Sequence, residues 1–159
     1  MSLTRHEIRE KAFQALFALN ANPDADENQL FQQLLNPEEA DAVEIPAYLS
    51  TLVTGVREHQ AELDAQIQPY LSQKWSLDRL AKTDLIILRI AFFELQFVDD
   101  VPAKVAVNEA IELTKAFSDD RSRKFVSGCL VKWLKTKPIS LKPNNLMFYR
   151  KSLAICQTF

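Results

Sequence analysis

The sequence predicts an all-α fold of about six or seven helices, and three observations carry that prediction. Apolar residues recur three and four positions apart in successive segments, and no segment alternates with period two for long enough to form a strand. Only two glycines, Gly55 and Gly128, occur in 159 residues, so glycine-turned hairpins and phosphate-cradling loops have almost no material. A hydrophobic content of 47% over this length is enough for one compact core, and the glycine shortage excludes most nucleotide-binding α/β architectures.

The elements follow in order. Thr4-Arg5-His6-Glu7 has the form of a capping box, which starts a helix that runs to about Asn20, before Pro23. Ile8, Ala12, Ala15, Leu16 and Leu19 form its core stripe, and Phe13 and Phe17 lie to one side, an apolar arc wide enough for a second neighbour or a partner. Asp24 to Glu27 caps a short helix through Leu35, stopped by Asn36-Pro37. A longer helix begins at Pro46 and runs through Leu49, Leu52, Val53, Val56, Leu63 and Ile67 to Gln68-Pro69. Ser76-Leu77-Asp78-Arg79 and Thr83-Asp84 read as successive helix starts. From Asp84 the run DLIILRIAFFELQFV is apolar nearly all round, which marks a central helix surrounded by others. Asp99-Asp100-Val101-Pro102 ends it, a helix follows over 103–117, and a last helix starts near Ser122 and stops before Pro138. Residues 1–137 are expected to form the helical domain. Residues 138–159 are expected to be a basic tail, disordered or atypical, because periodicity is lost there and Lys, Asn and Ser accumulate.

Charge is distributed unevenly. Residues 1–120 hold all 21 acids and 10 of the 19 Lys/Arg, a balance of −11, while residues 121–159 hold nine Lys/Arg and no acid. A split of this kind points to a polyanion partner at one end; a basic tail with no partner is the alternative. Cys129 and Cys156 have no metal-ligand spacing and read as reduced thiols, which with no signal-peptide pattern at Met1-Ser2-Leu3 indicates a cytoplasmic protein. The longest apolar run, Leu85 to Phe97, is broken by Arg89 and Glu94 and is too short to span a bilayer.

Catalytic constellations are missing. His6-Glu7 begins like the zinc-protease signature, but the fifth position is Glu10 instead of a second His, and His59 reads as a solvated side chain. No nucleophile elbow or Cys–His pairing occurs. The expectation is a protein that is not an enzyme and needs neither cofactor nor metal. Arg89, inside the central apolar helix, must pair with a carboxylate or with helix-end carbonyls. The Asn108-Glu109 pair reads as scaffold, with Asn108 hydrogen-bonded to a neighbouring helix.

The segment FSDDRSRKF, residues 117–125, places Phe117 and Phe125 around Arg121, Arg123 and Lys124 near a helix start. Unpaired bases are held by aromatic stacking with cationic contacts to phosphate, and this segment supplies both. The alternative is two core phenylalanines flanking solvent-facing charges. Arg5, His6 and Arg9 on the first helix form a second cationic set, diluted by Glu7 and Glu10, whose value depends on closeness to the first.

Val101-Pro102, then KVAVNEAIEL over 104–113, Phe117, and Lys124-Phe125-Val126 with Gly128 and Leu130 resemble the NusB family of bacterial transcription antitermination factors. Leu88-Arg89-Ile90-Ala91 with Glu94-Leu95, and the first helix after its cationic start, are similar too, so the likeness covers residues 4–131. The resemblance implies two three-helix bundles that bind the boxA element of ribosomal RNA leaders jointly with NusE, a ribosomal small-subunit protein. It implies a role in helping RNA polymerase resist Rho-dependent termination, without catalysis, and homodimers that occlude the RNA site in some members. By position, RNA contacts fall on Arg5, His6, Arg9, Phe117, Arg121, Lys124 and Phe125, and the NusE contacts on Asp84 and Phe17. Ser118 stands where the family usually has Gly, Ser127 and Cys129 replace Asn and Val, and Arg121 stands where an acid can occur. Two rivals share these features: the helical domain that precedes some ribosomal RNA methyltransferases, for whose catalytic domain this chain has no room, and a purely protein-binding scaffold that uses Phe13 and Phe17.

Overall fold

The computed structural model describes residues 2–38, 41–71 and 76–136. The proposed tail, 138–159, and Cys156 lie outside the described residues. Seven α-helices are present among those described: α1 (Arg5–Ala21), α2 (Glu27–Leu35), α3 (Ala47–Glu58), α4 (Gln60–Ile67), α5 (Lys82–Phe97), α6 (Ala103–Phe117) and α7 (Asp120–Thr136). None of them is long and apolar enough to cross a membrane.

Helix α1 starts as the capping box predicts: Thr4 Oγ1 accepts from Glu7 N at 3.2 Å, and Glu7 Oε2 accepts from Thr4 N at 2.7 Å. In α2 it is Asp26 that caps, accepting from Gln29 N at 2.9 Å. The Gln32 side chain then exchanges two 2.8 Å hydrogen bonds with the Val43 backbone and so ties the connection to α3 onto α2.

The single helix expected from Pro46 to Ile67 is two. The break falls at His59, which has φ −102° and ψ 12°. Its backbone N–H donates to the Gly55 carbonyl at 3.0 Å and its Nδ1 lies 2.9 Å from the same oxygen, while its ring packs on Phe97 at 4.3 Å between centroids. His59 is therefore a half-buried hinge residue and not a solvated one. Apolar spacing could not reveal the break, because Val56, Leu63 and Ile67 keep the same face across it.

Of the two expected helix starts around 76–84, the first yields only a single 3₁₀ turn, Leu77–Arg79, and the second opens α5 at Lys82. Every residue of α5 from Asp84 to Leu95 is buried. Helices α1, α2 and α3 pack as one three-helix bundle and α5, α6 and α7 as the other, with α1, α3 and α4 also laid against α5. The buried charges of α5, Asp84, Arg89 and Glu94, are all partnered. Arg89 meets Asp64 of α4 in a fork, Nε to Oδ1 at 2.7 Å and Nη2 to Oδ2 at 2.9 Å.

Gly55 sits where α3 crosses α5. A Cβ there would lie 2.2 Å from Phe93 Cζ, and the Phe93 ring is itself held by Phe97 at 5.2 Å and His59 at 5.9 Å. Gly128, in α7, faces open space. Gly55→Ala is predicted to cost about 1–3 kcal/mol through overpacking, whereas Gly128→Ala stabilises by about 0.5–1 kcal/mol. Urea unfolding of both variants checks this; equal effects would contradict the close helix crossing.

Candidate nucleic-acid interface

Helices α1 and α6 run side by side in the same direction, since His6 touches Glu109 and, about two turns further along both helices, Phe13 stacks on Phe117 with centroids 4.3 Å apart. The first cationic set thus lies along the first half of α6, from Asp100 just before it to Glu109, and the second beyond its end. Seven residues of α1 separate His6 from Phe13, so the two sets are roughly 10 Å or more apart along this pair.

At the α1 start only two of the three expected cations face solvent. Arg5 is exposed, its guanidinium 4.5 Å above the Tyr48 ring and its Nη2 2.5 Å from Asp100 Oδ2. His6 Nδ1 is 2.7 Å from Glu109 and Nε2 3.3 Å from Glu10. The hydrogen bond to Glu109 raises the imidazole pKa above the ordinary 6.5, against a smaller desolvation effect.

Arg9 requires a correction. It is 2% exposed, its Nε lies 2.9 and 3.0 Å from the two Glu94 carboxylate oxygens and its Nη2 2.8 Å from one of them. The Tyr48 hydroxyl donates to the same carboxylate, and burial together with Glu94 raises the phenol pKa. Arg9 is thus a core residue that joins α1, α3 and α5, with no guanidinium edge left for a phosphate on the surface.

At the second set, Arg121 and Lys124 are exposed on the opening turns of α7, and Arg123 Nε is 3.5 Å from Asp120. Phe117 and Phe125 are half-buried, so the two readings of these rings combine: each packs against the core and stays partly exposed. Phe13 is buried beneath Phe117, which corrects its expected role as a partner contact, while Phe17, 6.1 Å from Phe13, is 45% exposed. Phe17, Phe13 and Phe117 form one ladder and not two separate sites.

Asp84 is likewise not a surface acid. It is buried and accepts from Ser122 Oγ at 3.0 Å and Ser118 Oγ at 3.4 Å, which fastens the α6–α7 turn to the start of α5. Burial raises its pKa, and the two hydroxyls offset only part of that rise. Ser118 has φ −143°, extended backbone open to any residue, so the serine fits this turn without the left-handed conformation that glycine would supply. Asp119 then caps α7, accepting from Ser122 N at 2.9 Å. Cys129 is buried, which pushes its thiol up to about 11 and leaves it a packing residue.

Sequence reasoning did not anticipate Tyr48, Asp100 and Glu109 as partners of the α1 cations. Asn108, expected to bond a neighbouring helix, is exposed, and it is Glu109 that reaches α1. Among the described residues no group of three His, Cys, Asp or Glu side chains is gathered for a metal ion.

For a raised histidine pKa, the ion-pair contribution is complete below the unfolded value and is lost as pH rises through the folded one. The stability difference between the native chain and His6→Gln should therefore be largest near pH 5.5 and shrink by about pH 8. An NMR titration of His6 should give a midpoint above the ordinary 6.5 that falls back in Glu109→Gln; an unshifted native midpoint would contradict the pairing.

The geometry can be set beside known proteins. The family model described as "NusB family" matches residues 6–135. A transcription antitermination protein NusB of Lactiplantibacillus plantarum is 93% identical over 137 residues, 86% of this chain and 99% of that one, and its counterpart in Levilactobacillus brevis is 63% identical over 130 residues, 82% and 92% of the two chains. The solved T. maritima NusB structure has a TM-score of 0.71 at 32% identity, covering 85% of this chain and 93% of that chain. A solved complex of the antitermination factors NusB and NusE with double-stranded RNA has a TM-score of 0.69 over 84% of this chain and 99% of that chain; at 24% identity it bears on the fold alone. The match over residues 6–135, the near-identical relative and the two-bundle architecture together establish that this chain belongs to the NusB family.

Proposed function

We propose that the protein is a non-catalytic RNA-binding antitermination factor that binds the boxA element of ribosomal RNA leaders together with NusE and joins the RNA polymerase complex that resists Rho-dependent termination. The observation that carries this reading is the opening of α7, where the exposed Arg121 and Lys124 lie in the chain between the half-buried Phe117 and Phe125. Cations there attract phosphates and the rings offer faces to bases, so affinity and sequence preference come from different side chains. Arg5 and His6 lie roughly 10 Å or more away along α1. A helical strand with a phosphate about every 3.4 Å covers that distance in about three nucleotides.

The partner face is assigned to Phe17, whose exposed ring continues into the core through Phe13. NusE is its proposed occupant, with a second copy of the chain as the competing one. Residues 1–137 would form the RNA-binding unit, and the basic segment 138–159 would add cations to it.

Lys124→Ala is expected to weaken RNA binding and reduce the salt slope by roughly 0.7–1. Phe125→Leu keeps the packing but removes the ring, and should cost about 1–3 kcal/mol with the slope unchanged. Titration of a boxA strand and a scrambled strand, with and without NusE, at two salt concentrations reads both effects. RNA affinity indifferent to both substitutions would remove α7 from the interface.

A further inference from the structure

The α1 cations are not presented bare. Arg5 meets Asp100, which lies in the α5–α6 connection, and His6 meets Glu109 on α6, so each exposed cation of this set already holds a carboxylate from the second bundle. We propose that Asp100 and Glu109 are built-in competitors of phosphate, so that RNA docks at α1 by exchanging a carboxylate for a phosphate at Arg5 and at His6. The proposal rests on the RNA-binding reading above.

The arrangement suits an exchange. The Arg5–Asp100 pair is solvent-exposed, with side chains 47% and 64% accessible, and a pair of that kind is a weak restraint. The face of the Arg5 guanidinium rests on Tyr48, so the side chain keeps its place when its edge changes partner. Tyr48 is fixed in turn by Glu94, whose pair with Arg9 is buried and does not exchange. Carboxylate and phosphate oxygens make the same kind of charge-assisted hydrogen bond to a guanidinium edge, so the edge that Asp100 occupies is already presented for the ligand.

The test measures binding of a single-stranded boxA RNA to the full chain across a salt series. Asp100→Asn should tighten binding at low salt about 2- to 5-fold, the worth of a surface ion pair, and steepen the salt slope by roughly 0.7. The gain should vanish in the Arg5→Ala background, and Glu58→Gln, which removes an exposed acid outside this cluster, should not reproduce it. Glu109→Gln, with the Arg9–Glu94 pair intact and the titration run below the ordinary 6.5 so that His6 stays protonated without its carboxylate, should show the same tightening through His6. No gain, a gain that persists without Arg5, or an equal gain in Glu58→Gln would overturn the proposal while leaving RNA binding in place. Affinity unchanged in both Arg5→Ala and Lys124→Ala would instead show that the RNA-binding reading itself fails, and the proposal with it.

Discussion

The buried ion pair between Arg9 and Glu94 is the constraint on which the rest of the arrangement depends. Both side chains are almost wholly withdrawn from water, at 2% and 1% exposure, and desolvating two charges is tolerable only when the geometry is tight and the remaining hydrogen-bonding positions are filled. Three contacts from Arg9 and one from Tyr48 fill them. An uncompensated charge there would be expensive, so α1, α3 and α5 have little freedom to slide against one another. That setting of α1 stacks Phe13 on Phe117 and brings Arg5 to Asp100 before α6 and His6 to Glu109 within it.

Helix α5 carries a second pin. Arg89 and Glu94 are five residues apart, about 140° around the helix, and so they point to different neighbours. Arg89 takes Asp64 of α4 and Glu94 takes Arg9 of α1. In an otherwise apolar helix, hydrophobic burial alone would accept several rotations; two charges that each require one partner restrict them. At its N-terminal end the same helix holds Asp84 against Ser118 and Ser122, which sets where α7 begins and where Arg121 and Lys124 emerge. The central helix thereby positions both cationic sets.

Much of the fold was legible in local sequence. The capping box at Thr4, the stop at Asn36-Pro37, the all-round apolar run of α5 and the break at Pro102 depend on residues within a few positions of one another. Arg89 announced its need for a partner by lying inside an apolar run, and Glu94 offered the same signal. What local pattern could not supply was the identity of the partner, since Arg9 and Glu94 are 85 residues apart and His6 and Glu109 are 103 apart. Arg5, His6 and Arg9 look alike as a cationic group, yet their positions on the α1 helix turn Arg9 inward with Ile8 and Ala12 and leave the others out. The hinge at His59 was hidden because the apolar face continues across it. The separation of Phe13 and Phe17 from Phe117 into different sites failed because their stacking is a contact between α1 and α6.

The central claim is that Arg9 serves the core while the exposed cations serve the ligand, and a double-mutant cycle on Arg9 and Glu94 addresses it most directly. Unfolding free energies of Arg9→Met, Glu94→Leu and the double variant are predicted to show losses of about 3–5 kcal/mol for each single change and a much smaller loss for the pair, because each single change strands a buried charge and the pair removes both. The folded double variant should keep native affinity for RNA. Additive losses, or RNA binding abolished in a double variant that is as stable as the native chain, would contradict the account.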